Sequence, residues 1–299
     1  MKSLLKTLLV LALATQANWA KINVVTTSAD LASIAGEIGK DRINVQSLAQ
    51  GTDDLHFLAA RPDFIMKTSR ADVFVLIGGE LEVGWVPLIL QQSRNRRVQI
   101  GNLGYCDTST AIKMLEKPTG TIDRQMGDMH PFGNPHYWLD PVNGIKMART
   151  LVRCFSRVDK ANAAFYQRNY EAFKKKVKVL TKRLFRLMKP HRGKEIIPFH
   201  SEIIYVVRRF GLKQPMTIEE FPGALPGPAR QRLVTDYIKK NKVRLVTVTP
   251  WNNPGVARRI ARDGGAKLII LPLQTGSVKG TETYLKMVEY CITLLAKEL

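Results

Sequence analysis

Seven apolar residues in the middle of the chain constrain the fold most. Tyr166, Tyr170, Phe173, Val177, Leu180, Leu184 and Leu187 recur at steps of 4, 3, 4, 3, 4 and 3. At about 3.6 residues per turn these steps place all seven on one helical face. Asp159 is the candidate N-cap and Pro190 the stop, so the predicted helix runs over 159–189. At ~1.5 Å per residue it is about 40 Å long, enough to run along two compact units. A chain of 299 residues also has the length for two. The stripe mixes aromatic with aliphatic residues and covers only about three heptads, so it suits packing on the chain's own domains better than a coiled-coil dimer. A monomer is expected.

The flanking segments alternate between short β-rich apolar runs and amphipathic stretches. Strands are predicted over 22–26, 43–48 and 73–77, with helices over 29–38 and 62–68. The grammar returns after the long helix: strands over 195–198, 245–249 and 267–271, helices over 202–210 and 254–263. Such alternation predicts an α/β fold with mostly parallel sheets. The expected division is a leader over 1–20, an N-terminal α/β domain over 21–158, the connecting helix over 159–189 and a C-terminal α/β domain over 190–299.

The leader is read from Lys2 and Lys6, a short apolar core over 8–14, and small residues at Ala17 and Ala20. That pattern is a cleavable signal peptide, with an apolar run too short for the ~20 residues of a membrane span. A periplasmic protein is therefore expected. Cys106, Cys154 and Cys291 are too few for a disulfide framework, and the sequence leaves open which pair, if any, is joined. None lies beside the cleavage site, so a lipid-anchored N-terminus is not expected.

Charge is lopsided, with 46 Lys and Arg against 25 Asp and Glu and a formal charge of +21. Between Arg168 and Lys194 there are eleven cations and one acid, Glu171. Most fall off the apolar stripe, as on a solvated helix face, and no nucleic-acid-reading motif accompanies them. A specific nucleic-acid partner is not expected; weak contact with an anionic membrane surface is compatible with the charge.

The histidines carry the chemistry. His56 follows a predicted strand in Asp53-Asp54-Leu55-His56, His200 follows another in Phe199-His200-Ser201-Glu202, and His136 sits in a turn-rich stretch that opens a helix. Open α/β sheets bind ligands at such strand ends. Three neutral imidazoles make a partial coordination shell suited to zinc. His130, in Met129-His130-Pro131, is a weaker candidate, and His191 in the basic run is expected to be exposed.

Asn134-Pro135-His136-Tyr137-Trp138-Leu139-Asp140-Pro141 closely resembles the Asp-Pro-His-x-Trp-x-Asp-Pro signature of the periplasmic metal-binding proteins that serve zinc and manganese ABC importers. Other landmarks follow in that family's order. They are Asp53-Asp54-Leu55-His56, then Ala71-Asp72-Val73-Phe74 with Gly78-Gly79-Glu80-Leu81-Glu82, then Phe199-His200 with Tyr205-x-x-Arg208-Arg209-Phe210-Gly211-Leu212. The resemblance covers the mature chain. It implies two α/β domains joined by one long helix, a metal held in the cleft by His56, His136 and His200, small domain movements, and an ABC transporter permease as partner.

Two departures bear on the metal. The family's Glu three residues after the first histidine is Ala59 here, and its Asp near the last strand falls where the chain reads Leu271-Pro272-Leu273-Gln274. Glu219, Glu220 or a water could replace the missing fourth ligand. The His- and acid-rich loop of many zinc-specific members corresponds to 116–133, which has a single histidine. Three imidazoles without a certain carboxylate favour zinc over manganese as the transported ion. The rival readings are a zinc-dependent hydrolytic enzyme, with Glu202 as its base, and a basic protein that binds anionic surfaces.

Overall fold

The computed structural model describes residues 21–119 and 130–299, so the expected signal peptide lies outside the described residues. The first unit runs β1 (Ile22–Thr26), α1 (Ala29–Gly39), β2 (Ile43–Ser47), α2 (Pro62–Ser69), β3 (Val73–Leu76), α3 (Val86–Ser93), β4 (Tyr105–Asp107) and α4 (Pro141–Val158). Its four strands pair in parallel in the order β2-β1-β3-β4. β3 shows why this is a covered sheet. Val73 and Val75 enter the core shared with α1 and α4, Phe74 and Leu76 enter a second core with α2 and α3, and all four are buried.

The acid of the Gly-Gly-Glu-Leu-Glu stretch is structural. Glu82 is buried and accepts hydrogen bonds from Thr27 Oγ1 (2.6 Å) and from the backbone N–H of Ile77 (2.8 Å) and Gly78 (3.0 Å). These bonds fix the turn after β3, while burial pushes the carboxyl up to about 7.

The central helix α5 (Ala163–Met188) has 26 residues and is about 39 Å long. It differs from the sequence expectation at both ends. Asp159 is not its N-cap: its backbone N–H closes α4 on the Phe155 carbonyl, and a 3-10 turn at Lys160–Asn162 precedes α5. The Asp159 carboxylate instead accepts from Tyr166 Oη and Asn162 Nδ2, both at 2.7 Å. At the far end Leu187 is 40% exposed and Met188 is buried in its place. A 3.5-residue repeat drifts by about 20° per heptad on a straight 3.6-residue helix, so the seventh residue of the stripe rotates out of the core.

The second unit contains β5 (Ile196–Pro198), α6 (Ile204–Phe210), α7 (Pro228–Asn241), β6 (Leu245–Val248), α8 (Pro254–Gly264) and β7 (Lys267–Ile270), with a parallel sheet in the order β5-β6-β7. The last helix, α9 (Tyr284–Glu298), leaves that sheet. Tyr284, Met287, Val288, Cys291, Ile292 and Leu295 pack into the core of α1, α4 and α5. Polar bonds secure the return: Thr275 N–H and Oγ1 both donate to Asp30 Oδ1 (3.0 and 2.7 Å), and Tyr284 Oη donates to the Trp138 carbonyl (2.7 Å).

The cysteine pairing left open by the sequence is Cys106–Cys154, which ties β4 to α4; Cys291 is free and buried. A further clamp between units is ionic. Asp140 caps α4 through the Val142 N–H (2.9 Å) and pairs with Arg209 on α6 at 2.6 Å. Some of the basic helix face is also neutralised, as Lys176 pairs with Glu37 and Arg183 with Glu289. Among the described residues no helix is long and apolar enough to cross a membrane.

Candidate metal centre

His56 lies in the loop that follows β2, His200 directly beyond β5, and His136 in the segment that leads into α4. The fold brings them together. One ring nitrogen from each lies within 4.8 Å of the others, and the ring centroids are 5.1 Å (His56–His136), 5.1 Å (His136–His200) and 5.8 Å (His56–His200) apart.

Two of the three are set by the same local device. The Asp54 carboxylate accepts both the backbone N–H of His56 (3.0 Å) and its ring Nδ1 (2.8 Å). The side-chain Oδ1 of Asn134 does the same for His136, at 3.0 Å each. An Asp or Asn two residues before a turn residue readily forms this closed loop. His200 is held from another element, its Nδ1 lying 3.1 Å from Glu219 Oε2.

These partners fix the tautomers. Asn134 Nδ2 donates to the Ser201 carbonyl (2.7 Å) and Glu116 Oε2 (2.9 Å), so its Oδ1 must be the acceptor and His136 Nδ1 the protonated nitrogen. Carboxylates impose the same tautomer on His56 and His200. In this tautomer a neutral ring leaves Nε2 unprotonated, the form in which imidazole ligates a metal. Among the described residues the buried Nε2 of His56 has no hydrogen-bond partner.

The electrostatics agree. Burial, then the neighbouring His56, His200 and His130, hold the His136 pKa well below its usual value, so the ring is neutral at pH 7. Burial also works against the charged form of His200, but the Glu219 hydrogen bond and the charges of Glu202, Glu219 and Asp54 prevail and raise it. For Asp54 burial is outweighed by the bonds and charge of His56, and the net shift is downward.

Two openings flank the cluster. A cavity of about 30 Å³ is walled by Asp54, His56, His200, Glu202, Glu219 and Trp251, and a groove of about 640 Å³ reaches His130, His136 and His200 past Glu116, Glu219 and Glu220. The two proposed substitute acids separate here: Glu219 is buried and committed to His200, whereas Glu220 is exposed. Gln274 is buried with its Nε2 on the Asp53 carbonyl, 2.6 Å away.

His130, the weaker candidate in the sequence, is 8% exposed, with its ring 5.3 Å from that of His56. Burial, then the charges of His56 and His200, push its pKa down to about 3. His191 lies away from the cluster, beside Lys194. The roles of Asp54 and Asn134 were missed in the sequence, although the spacing Asp-x-His and Asn-x-His was the available signal.

The model of the family described as zinc-uptake complex component A, periplasmic, matches residues 24–298. The chain belongs to this family. Among relatives of the zinc-uptake family, the zinc-binding lipoprotein AdcA of Streptococcus pneumoniae serotype 4 is 25% identical over 274 residues, which is 90% of this chain and 54% of AdcA. The chain thus spans about half the length of that relative. The high-affinity zinc uptake system protein ZnuA of Bacillus subtilis is 25% identical over 262 residues, 87% of this chain and 80% of the relative. Solved structures share the fold. A crystal structure of ZnuA superposes with a TM-score of 0.77 at 22% identity, covering 93% of this chain and 99% of the other. The laminin-binding protein Lmb of Streptococcus agalactiae gives 0.76 at 23% identity, with the same coverage.

Proposed function

We propose that the chain is a solute-binding protein that captures a divalent transition metal, zinc above manganese, and delivers it to the permease of an ABC importer. One observation carries this reading: three imidazoles from separate parts of the fold converge with their Nδ1 atoms engaged, and the buried Nε2 of His56 has no partner among the described residues. Zinc bonded to nitrogen at about 2.0–2.1 Å in a tetrahedron holds its ligands about 3.4 Å apart, a spacing within reach of small ring rotations. His56, His136 and His200 are the ligands in this reading. Asp54 and Glu219 balance the ion's charge through the imidazoles they hold.

The family match favours transport over a hydrolytic enzyme built on Glu202. Residues 1–20 would direct the chain to the periplasm as a cleavable signal peptide. The proposed organisation is 21–158 and 190–299 as the two α/β domains on either side of the 159–189 connecting helix, with α9 packed back on the first. The Arg209–Asp140 pair and the Thr275–Asp30 bonds support small rather than wide domain movements.

The test is titration of the chelator-stripped protein with zinc in competition with a chromophoric chelator. One zinc per chain is expected, with binding abolished when His56, His136 and His200 are all replaced by Ala. No saturable binding, or unchanged binding in that variant, overturns the reading.

A further inference from the structure

Resting on the three-histidine site proposed above, we infer that His130 is the fourth ligand, so that this chain offers its metal four imidazoles where a carboxylate would be expected. His130 Nε2 is buried and has no hydrogen-bond partner among the described residues. Buried ring nitrogens are nearly always paired, so an orphan facing a cluster of ligating groups indicates an absent partner. The neighbouring orphan is His56 Nε2, and the two rings lie 5.3 Å apart, within the 5.1–5.8 Å range that separates the other three. One ion between them satisfies both nitrogens.

Glu219 holds His200 Nδ1 and Glu220 faces solvent, whereas Glu202 and Gln274 each keep a buried oxygen without a partner among the described residues. Charge points to a neutral ligand. Asp54 and Glu219, hydrogen-bonded to His56 and His200, together with the buried Glu202 beside them, are already enough carboxylates to offset a divalent ion. A neutral fourth ligand adds no charge to the buried site, whereas a further carboxylate would. His130 stands outside the 4.8 Å cluster of the other three. It borders the open groove and swings inward to close the shell on an ion held by three rings. Four borderline nitrogen donors favour zinc and discriminate against manganese, which prefers oxygen.

X-ray absorption at the zinc edge on the wild-type full chain tests this without any variant; four imidazole nitrogens are expected. His130→Gln is expected to weaken zinc binding at least about tenfold, a loss no smaller than that of an outer-sphere partner. His130→Asp, with an oxygen donor, is expected to narrow the preference for zinc over manganese. A wild-type spectrum of three imidazoles and one oxygen, or unchanged zinc affinity in His130→Gln, overturns the assignment of His130. Failure of the underlying reading looks different: the wild type would not saturate with zinc, or would be indifferent to loss of the other three histidines.

Discussion

The side-chain amide of Asn134 donates to the backbone carbonyl of Ser201, 2.7 Å away, across 67 residues of sequence. The same amide accepts from the His136 ring, so it orients one candidate ligand while fastening it to the residue that follows another, His200. Geometry at the candidate metal centre and contact between the two units thus pass through one side chain.

Asn134→Ala should therefore weaken zinc binding by about 10–100-fold, the usual cost of losing a partner that orients a metal-bound histidine. Asn134→Asp keeps an acceptor for His136 but sets a carboxylate against Glu116 Oε2 and the Ser201 carbonyl. It should recover part of the affinity and lower the melting temperature. Competition titration and thermal melts of both variants check this.

Zinc binding should release a proton near neutral pH. His200 has a pKa raised above the usual 6.5, and only its neutral form ligates. Affinity should climb as pH rises from 6.5 through that raised value. Glu219→Gln removes the acceptor charge and should move the climb to lower pH. Calorimetry in buffers of different ionisation enthalpy measures the protons released.

Asp30 gives stability a pH dependence of the opposite sense to that of a salt-bridged acid. Burial, only partly offset by the bonds from Thr275, raises its pKa from 3.8 to about 6. Between those values the folded chain binds more protons than the unfolded one, so stability falls as pH rises through the window. The cost is fully present above pH 6 and amounts to roughly 3 kcal/mol. Asp30→Asn keeps the Oδ1 acceptor and should lack this fall. Urea unfolding of both proteins at pH 4 and pH 8 gives the comparison.

Two leucines three residues apart on α5 should respond differently. Leu184 is 1% exposed and Leu187 is 40% exposed. Leu184→Ala should cost about 2–5 kcal/mol, as core truncations do, and Leu187→Ala within about 0.5 kcal/mol. Chemical denaturation of the two variants checks the difference.

Much of this was legible in the sequence because local patterns have local causes. The stripe on α5 follows from a 3.6-residue periodicity and β1, β3 and β6 from short continuous apolar, β-branched runs, and they appear where expected. His56 and His200 could be placed at strand ends without knowing what they face. The failures share a cause as well. Leu187 and Asp159 were misplaced because a few degrees of helical drift, or one 3-10 turn, decides which side chain meets a neighbour.

What the sequence alone determined is the grammar of two α/β units about one long helix, and three histidines at positions suited to a ligand. Tertiary structure decided the rest. It joined Cys106 to Cys154, returned α9 to the first core, and set Glu219 on His200 while leaving Glu220 in solvent. It also brought His130 beside His56. Each of these outcomes depends on distances between residues far apart in the chain. Such distances follow from how whole layers pack, and no local propensity encodes them.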